Sequence, residues 1–422
     1  MTTPNDGTLP VIVLPHPDGG SYDYQLRGPG NFSRPSEPIT SRKVYAAAHV
    51  VPVMTADNTP GAPAALDWDA TLAYRHELWS YGLGVADAMD TAQRGMGLDY
   101  EATKELIRRS AAEAATVIAQ DRYPALRGRS VRDLISCGVG TDQLDPAVIE
   151  RGPEGLEKVT AAYLEMLQVV EQSGAKVIIM CSRAMVRAAS GPQDYLDVYG
   201  RLLAEASEPV ILHWLGDMFD PALAGYWGNR DVEAATATFL ELINSNPGKV
   251  DGVKVSLLDA AHETALRTAL PAGVRLYTGD DFNYPELIHG DGTLHSDALL
   301  GIFAAIYPAA STALQAFDAG QAEHGRRILE DTQELGRHIF SAPTFYYKTG
   351  IAFLSWLNGH QTGFQLVGGL HAGRSIGHLV RTFVLADQAG LLLQPELAAE
   401  RMRNLLRVNG LDADIPSLTG VS

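Results

Sequence analysis

The chain has 422 residues, of which 46% are hydrophobic and 20% charged, a composition that supports a large core and excludes a disordered or low-complexity chain. A formal net charge of −17 and a pI near 5.1 argue against nucleic acid and anionic membrane surfaces as partners, while leaving room for a locally basic pocket. Two cysteines, Cys137 and Cys181, are too few for a disulfide framework or a cysteine zinc site; both fall in apolar runs and read as buried thiols.

Residues 1–43 are rich in Gly, Pro, Ser and Asp and read as an N-terminal extension. They lack a basic segment followed by an apolar one, so no signal peptide is expected. No apolar run anywhere approaches the ~18 residues of a membrane span, and the expected location is the cytoplasm. Val11–Pro15 and the segment YDYQLRG are strand candidates, expected to lie as a hairpin on the main domain. His16 and Asp18 read as turn residues rather than metal ligands.

From Val44 the pattern becomes regular. KVYAAAHVVPVM is a first strand, and Asp67 is placed to cap a helix running from Trp68 to Leu83. Gly84–Thr91 is a second strand that ends in the polar turn QRGMG, followed by a helix over Tyr100–Gln120. SVRDLISCGVG is a third strand, Glu154–Ser173 a helix, AKVIIMCS a fourth strand and Gln193–Ala206 a helix. PVILHWLG is the fifth strand and Val232–Asn246 the helix after it. The sixth strand holds Val250, Val253 and Val255, and a helix over Ala260–Ala269 is broken by Pro271 and Gly273. Val274–Thr278 is the seventh strand, the short Asp291–Ser296 stands in the place of an eighth, and Asp297–Gly320 is a long helix.

Strand and helix alternate over roughly 280 residues, which predicts one (β/α)8 TIM barrel spanning 44–320. A doubly wound sheet lacks support, because no G-x-G-x-x-G follows the first strand and no Walker loop occurs. Residues 321–422 contain no strand pattern and read as a helical C-terminal extension packed on the barrel, with helices near 323–340, 343–358, 374–390 and 395–408. It carries His360, His371 and His378. Its Gly-rich stretch LVGGLHAGRSIG lacks the preceding strand and the spacing of a phosphate loop, and reads as a helix–helix connection.

Catalytic groups of such a barrel stand at the C-terminal ends of its strands. That rule selects Asp90 and Thr91, Gly140 and Thr141, Cys181 to Arg183, His213, Lys254 and Ser256, and Thr278 to Asp281. Lys254 is the anomaly, a cation inside a valine-rich strand. An ammonium buried without a partner is expensive, burial lowers its pKa, and a neutral amine is the nucleophile of Schiff-base enzymes. The competing reading is a strand-end lysine snorkelling to solvent. His213, at the end of the fifth strand, suits a proton shuttle, against the alternative of a structurally satisfied histidine. The other lysine of interest, Lys348 in TFYYKTG, is expected to snorkel beside the tyrosines, outside the barrel strands.

The same strings resemble the dihydrodipicolinate synthase/N-acetylneuraminate lyase superfamily of class I aldolases. PVILHWLG resembles the family's fifth strand, DGVKVS its lysine-bearing sixth, LYTGDD its seventh, GDGTLHSDALLGIFA its eighth strand and helix, and ISCGVGT its third-strand turn. The resemblance covers about 45–410 and lies in order and spacing rather than in one string; the chain looks most like a divergent branch described as a domain of unknown function. It implies that Lys254 is the Schiff-base lysine and that neither metal nor cofactor is needed. Two departures point away from pyruvate. The family's Gly-Thr-Thr-Gly-Glu carboxylate loop is replaced by DTAQRGMGLD, leaving Gln93 or Arg94 to meet an anionic or polyhydroxylated substrate. The family's strand-five tyrosine is replaced by His213, whose pKa is nearer neutrality.

The expected function is a Schiff-base lyase or aldolase acting on a small carbonyl compound, a sugar-derived keto acid or keto sugar. Lys254 condenses with the carbonyl and His213 moves a proton; Asp90, Thr91, Gln93, Arg94, Thr141, Ser256 and Asp281 make up the substrate-binding set. A homo-oligomer, dimer or tetramer, is expected. The alternative is a metal-dependent sugar isomerase, epimerase or lyase on the same barrel, drawing ligands from His49, Asp90, His213, Asp280, Asp281 and Glu286, although no H-E-x-x-H or similar pair is present. A non-catalytic binding barrel would leave Lys254 without a purpose.

Overall fold

Ten short strands carry the architecture of the computed structural model, which describes residues 9–411. The outermost parts of both extensions, 1–8 and 412–422, lie outside the described residues, and the expectation about a leader falls there. β1 (Val11–Pro15) and β2 (Ser21–Gln25) form an antiparallel hairpin. The barrel strands are β3 (Val44–Ala47), β4 (Gly84–Asp87), β5 (Ile135–Val139), β6 (Lys176–Ile179), β7 (Val210–Leu215), β8 (Val250–Ser256), β9 (Arg275–Thr278) and β10 (Asp297–Leu300). They pair in parallel in chain order, and β10 closes the TIM barrel against β3.

Strands buried on both faces read as continuous apolar runs, because one face meets the barrel axis and the other the helices. Inside, Tyr45, Ala47, Ala86, Ile178, Ile211, Tyr277 and Leu299 form their own core, separate from the larger core between strands and helices. The N-terminal end of the barrel is plugged by polar pairs, Lys176 to Asp251 at 2.9 Å and Tyr277 Oη donating to Asp251 at 2.9 Å. At the opposite end, Arg75 of the helix Trp68–Ser80 forms a fully buried bidentate pair with Asp87 of β4, at 3.1 and 2.8 Å, and also donates to the Thr71 carbonyl. Removing one partner of such a pair costs about 3–5 kcal/mol. Asp67 caps that helix as expected, accepting from the Ala70 amide at 3.0 Å.

Several boundaries differ from the sequence reading. Asp291–Ser296 is not the eighth strand but a turn, in which Asp291 Oδ1 accepts from the Thr293 and Leu294 amides at 2.8 Å. The strand is Asp297–Leu300, and the following helix begins at Ile302. After Asp297 the run ALLGIFAAIYPAA carries no charge and is largely apolar, so periodicity offers no mark where strand gives way to helix. In the third strand, Val131–Leu134 is a helical turn held by the Ser130–Asp133 capping box, which leaves only Ile135–Val139 extended. The helix expected over 323–340 is two, Ala322–Glu330 and Gln333–Ile339.

The C-terminal helices Tyr347–Leu357, Ile376–Gln388 and Pro395–Val408 share the core of the barrel's outer layer. The Gly-rich stretch connects two of them through tight turns over Val367–Gly373. The N-terminal hairpin rests on these helices rather than on the barrel wall. Tyr24 Oη donates to Asp387 at 2.8 Å, and Arg403 donates to the Val11 carbonyl at 2.8 Å. His16 and Asp18 do sit in a turn, with the Asp18 amide donating to His16 Nδ1. Among the described residues, no helix is long and apolar enough to cross a membrane.

Candidate active site

β7 and β8 are neighbours, and their register sets His213 directly beside Lys254. Both are buried, at 1% and 7% exposure, because each occupies an interior strand whose flanking residues are Val, Leu and Trp. Lys254 Nζ makes no hydrogen bond among the described residues. Burial lowers its pKa, while the carboxylates of Asp90 and Asp281 pull it back up. Gly279 makes room for it. A Cβ there would overlap Ser256 Oγ and the Val255 carbonyl and stand 3.0 Å from Lys254 Cε, so a side chain would crowd the lysine.

Asp281 follows β9 and is buried, with Oδ1 accepting from the Ile302 amide at 2.8 Å. Burial raises its pKa, and the adjacent Asp280 adds to the rise; the Ile302 amide and Lys254 oppose it. Lys254 and Asp281 therefore titrate as a linked pair. His213 is held well below the ordinary histidine range, by burial first and by the Lys254 charge second, which keeps the imidazole neutral. Its Nε2 stands 3.4 Å from Ser256 Oγ, and its buried Nδ1 has no partner. A neutral imidazole with one uncommitted nitrogen can accept or return a proton.

A cleft of about 240 Å3 opens over the C-terminal ends of β4 to β7, with Asp90, Arg94, Thr141, Ser182 and His213 in its wall. Lys254 is not in the wall itself, but Asp90 and His213 both are, and both interact with it electrostatically. Thr141 Oγ1 and Ser182 Oγ form a hydroxyl pair at 2.7 Å. Arg94 is 4% exposed. Its Nε pairs with Asp142 and its Nη1 donates to the Ala88 and Gly138 carbonyls, while Nη2 has no partner.

Other expected binding residues are committed elsewhere. Gln93 donates to the Val367 carbonyl at 2.8 Å, tying its turn to the C-terminal extension, and does not line the cleft. Thr91 is buried with Oγ1 at 2.8 Å from Tyr347 Oη. Cys137 is fully buried, but Cys181 is only half-buried and lines the cleft, with Sγ donating to the His213 carbonyl at 3.2 Å. Burial pushes its pKa up, so it remains a thiol.

Lys348 does not snorkel. It is 2% exposed, in the first turn of the helix Tyr347–Leu357, and donates to the Phe345 carbonyl at 3.1 Å. The Phe345 and Tyr347 rings lie 4.8 and 4.6 Å from Nζ, cation–π distances. Burial brings its pKa down to about 8, opposed by Asp90 and Asp220. Sequence reasoning missed this placement, and missed Asp142 and Asp220 in the cleft wall. The aromatic run FYY before Lys348 was the available signal, but nothing local shows that it folds back over the barrel mouth.

The six metal-ligand candidates do not converge. His49 Nε2 is 3.0 Å from Gln361 Oε1, Asp280 is occupied by the Phe282 and Asn283 amides, and Glu286 is exposed. Among the described residues, no three His, Cys, Asp or Glu side chains gather to hold a metal.

Residues 12–411 match a family model described as "Protein of unknown function (DUF993)". No curated protein matches. Among solved structures the chain is similar to YagE, a prophage protein of the dihydrodipicolinic acid synthase family from E. coli K12, in complex with pyruvate. That likeness has a TM-score of 0.60 at 15% identity, over 82% of this chain and 99% of that one. It is similar in the same way to a putative dihydrodipicolinate synthetase from Pseudomonas aeruginosa, with a TM-score of 0.59 at 15% identity and the same 82% and 99% coverage. The dihydrodipicolinate synthase of Oceanobacillus iheyensis gives a TM-score of 0.57 at 15% identity, over 82% of this chain and 95% of its own. At that identity the likeness is one of fold.

Proposed function

The chain belongs to the DUF993 family, and from that premise and the geometry above we propose that it is a Schiff-base-forming lyase or aldolase acting on a small, sugar-derived carbonyl compound. The observation that carries this reading is Lys254, a buried amine with no hydrogen-bond partner among the described residues, faced by Asp90, Asp281 and His213. The fold likeness to dihydrodipicolinate synthases supports it.

The chemistry follows from the groups present. Free Lys254 attacks the carbonyl carbon and forms a carbinolamine, which loses water to give an iminium. The Cα–Cβ bond then breaks: its electron pair flows into the iminium to give an enamine, while Cβ gives up its hydroxyl proton and leaves as an aldehyde. Neutral His213 takes the proton released in that step and returns it to the enamine carbon. Water then hydrolyses the regenerated iminium and frees Lys254. Asp281, its pKa raised by burial to about 7, is stabilised as a carboxylate by positive charge at Lys254 and can in turn offset the iminium.

Incubation of the protein with a ketone and borohydride tests this directly. Reduction of the imine leaves a stable secondary amine, and peptide mapping is expected to place the added mass on Lys254. An adduct confined to another lysine would sink the proposal.

A further inference from the structure

The cleft wall holds a set of charged side chains of which only Asp90 acts on Lys254. It contains two guanidiniums, Arg94 and Arg183, and three carboxylates, Asp90, Asp142 and Asp220. Each guanidinium is already paired, Arg94 with Asp142, and Arg183 with Asp220 at 2.5 Å. Asp90 is the surplus anion of the wall. Lys254 interacts with Asp90, and the buried Lys348 with both Asp90 and Asp220, and together they offset that surplus. An entering phosphate or carboxylate finds no unpaired cation in the wall.

Single hydrogen-bonding positions are what remains open. Arg94 Nη2 is a buried donor with no partner. Beside it, Asp142 Oδ1 and the Asp90 carboxylate accept no hydrogen bond among the described residues. Thr141 and Ser182 add a hydroxyl pair to the same wall. Two glycines keep this space open. A Cβ at Gly140 would stand 3.2 Å from Arg94 Nη2, and one at Gly138 would overlap Met180 Sδ and the Ala88 carbonyl and stand 3.1 Å from Nη1. A hydroxyl group is donor and acceptor at once, and neighbouring hydroxyls match an arginine–aspartate pair that offers the two free N–H groups of Nη2 and one free carboxylate oxygen. A cleft of about 240 Å3 suits a small molecule of this kind.

The geometry points to a diol-binding subsite built on Arg94 and Asp142, with Thr141 and Ser182, and so to an uncharged polyhydroxylated carbonyl compound as the substrate class, rather than a phosphate ester or a short keto acid. This rests on the imine reading of Lys254 only for the carbonyl end; the subsite has its own test. Calorimetric titration with xylitol, which has no carbonyl, and with inorganic phosphate separates the two chemistries. Xylitol is expected to bind at least tenfold more tightly than phosphate. Arg94→Lys, which keeps the charge beside Asp142 but removes the fork, is expected to weaken xylitol at least tenfold. Tighter binding of phosphate, or an Arg94→Lys protein of unchanged melting temperature and unchanged xylitol affinity, overturns the subsite. A parallel borohydride experiment compares ribulose, ribulose 5-phosphate and pyruvate, and ribulose is expected to give the most Lys254 adduct. A larger adduct with pyruvate or the phosphate ester also overturns the proposal. Xylitol binding without any adduct supports the subsite and removes only the imine reading.

Discussion

Lys254 and Lys348 are two buried amines in one molecule, one on the sixth strand of the barrel and one on a helix outside it. Burial depresses the pKa of both, and Asp90 pulls both back up. They differ in what else surrounds them. Lys348 donates to a carbonyl of its own segment and lies against two aromatic faces. Lys254 makes no hydrogen bond among the described residues, and a histidine with a free Nδ1 stands beside it in register. Burial alone therefore does not select a nucleophile. An amine that is buried and also uncommitted, next to a proton carrier, is the one poised to attack.

The largest expected effect would break that contrast outright. Lys254→Ala should abolish the borohydride adduct, and Lys254→Arg should fail equally because it supplies no nucleophilic amine. Lys348→Met should retain the adduct. An adduct that disappears in Lys348→Met and survives in Lys254→Ala would reverse the assignment.

His213→Ala comes next. Turnover should fall by ~10²–10⁴-fold, the usual loss for a main proton carrier, while the Lys254 adduct still forms. Unchanged turnover would return His213 to a structural role.

The third effect sharpens the other side of the comparison. Burial brings Lys348 from 10.5 down to about 8, so the folded protein binds its proton less tightly than the unfolded chain does. The cost is fully present below about 8 and fades as pH rises toward the unfolded value of ~10.4. Lys348→Met should thus stabilise the protein at pH 7 by about 2 kcal/mol, after the lost ring contacts are subtracted. The gain should shrink between pH 8 and 10 in urea titrations. A gain that does not change with pH would mean that packing, not charge, sets the cost.

The smallest expected effect is none. Imine chemistry needs no Lewis acid, so exhaustive chelation should leave turnover unchanged. Loss of activity restored by Zn²⁺ or Mn²⁺ would revive the isomerase alternative.

Much of the barrel was legible because its evidence is local. Valine-rich runs, the Asp67 cap and the Pro and Gly breaks mark elements through residues that are neighbours in the chain. The eighth strand was misplaced where that evidence is silent, in a run apolar on both sides of the strand–helix junction. Lys254 stood out because a cation inside a valine strand conflicts with its surroundings, and such conflicts are where function tends to lie.

The chain's own pattern thus determined a (β/α)8 order, the lysine strand, and the histidine strand beside it. Only the tertiary structure decided which polar groups remain free. Gln93 is taken up by Val367, and Thr91 by Tyr347, each across more than 250 residues of sequence. Arg94 keeps Nη2 open because Asp142 and two carbonyls take up Nε and Nη1. Lys348 is buried because its helix folds back over the barrel mouth. Periodicity reports which face of an element is apolar, since that depends on spacing along one segment. Whether a buried donor finds a partner depends on which distant segment packs against it, and no local pattern encodes that meeting.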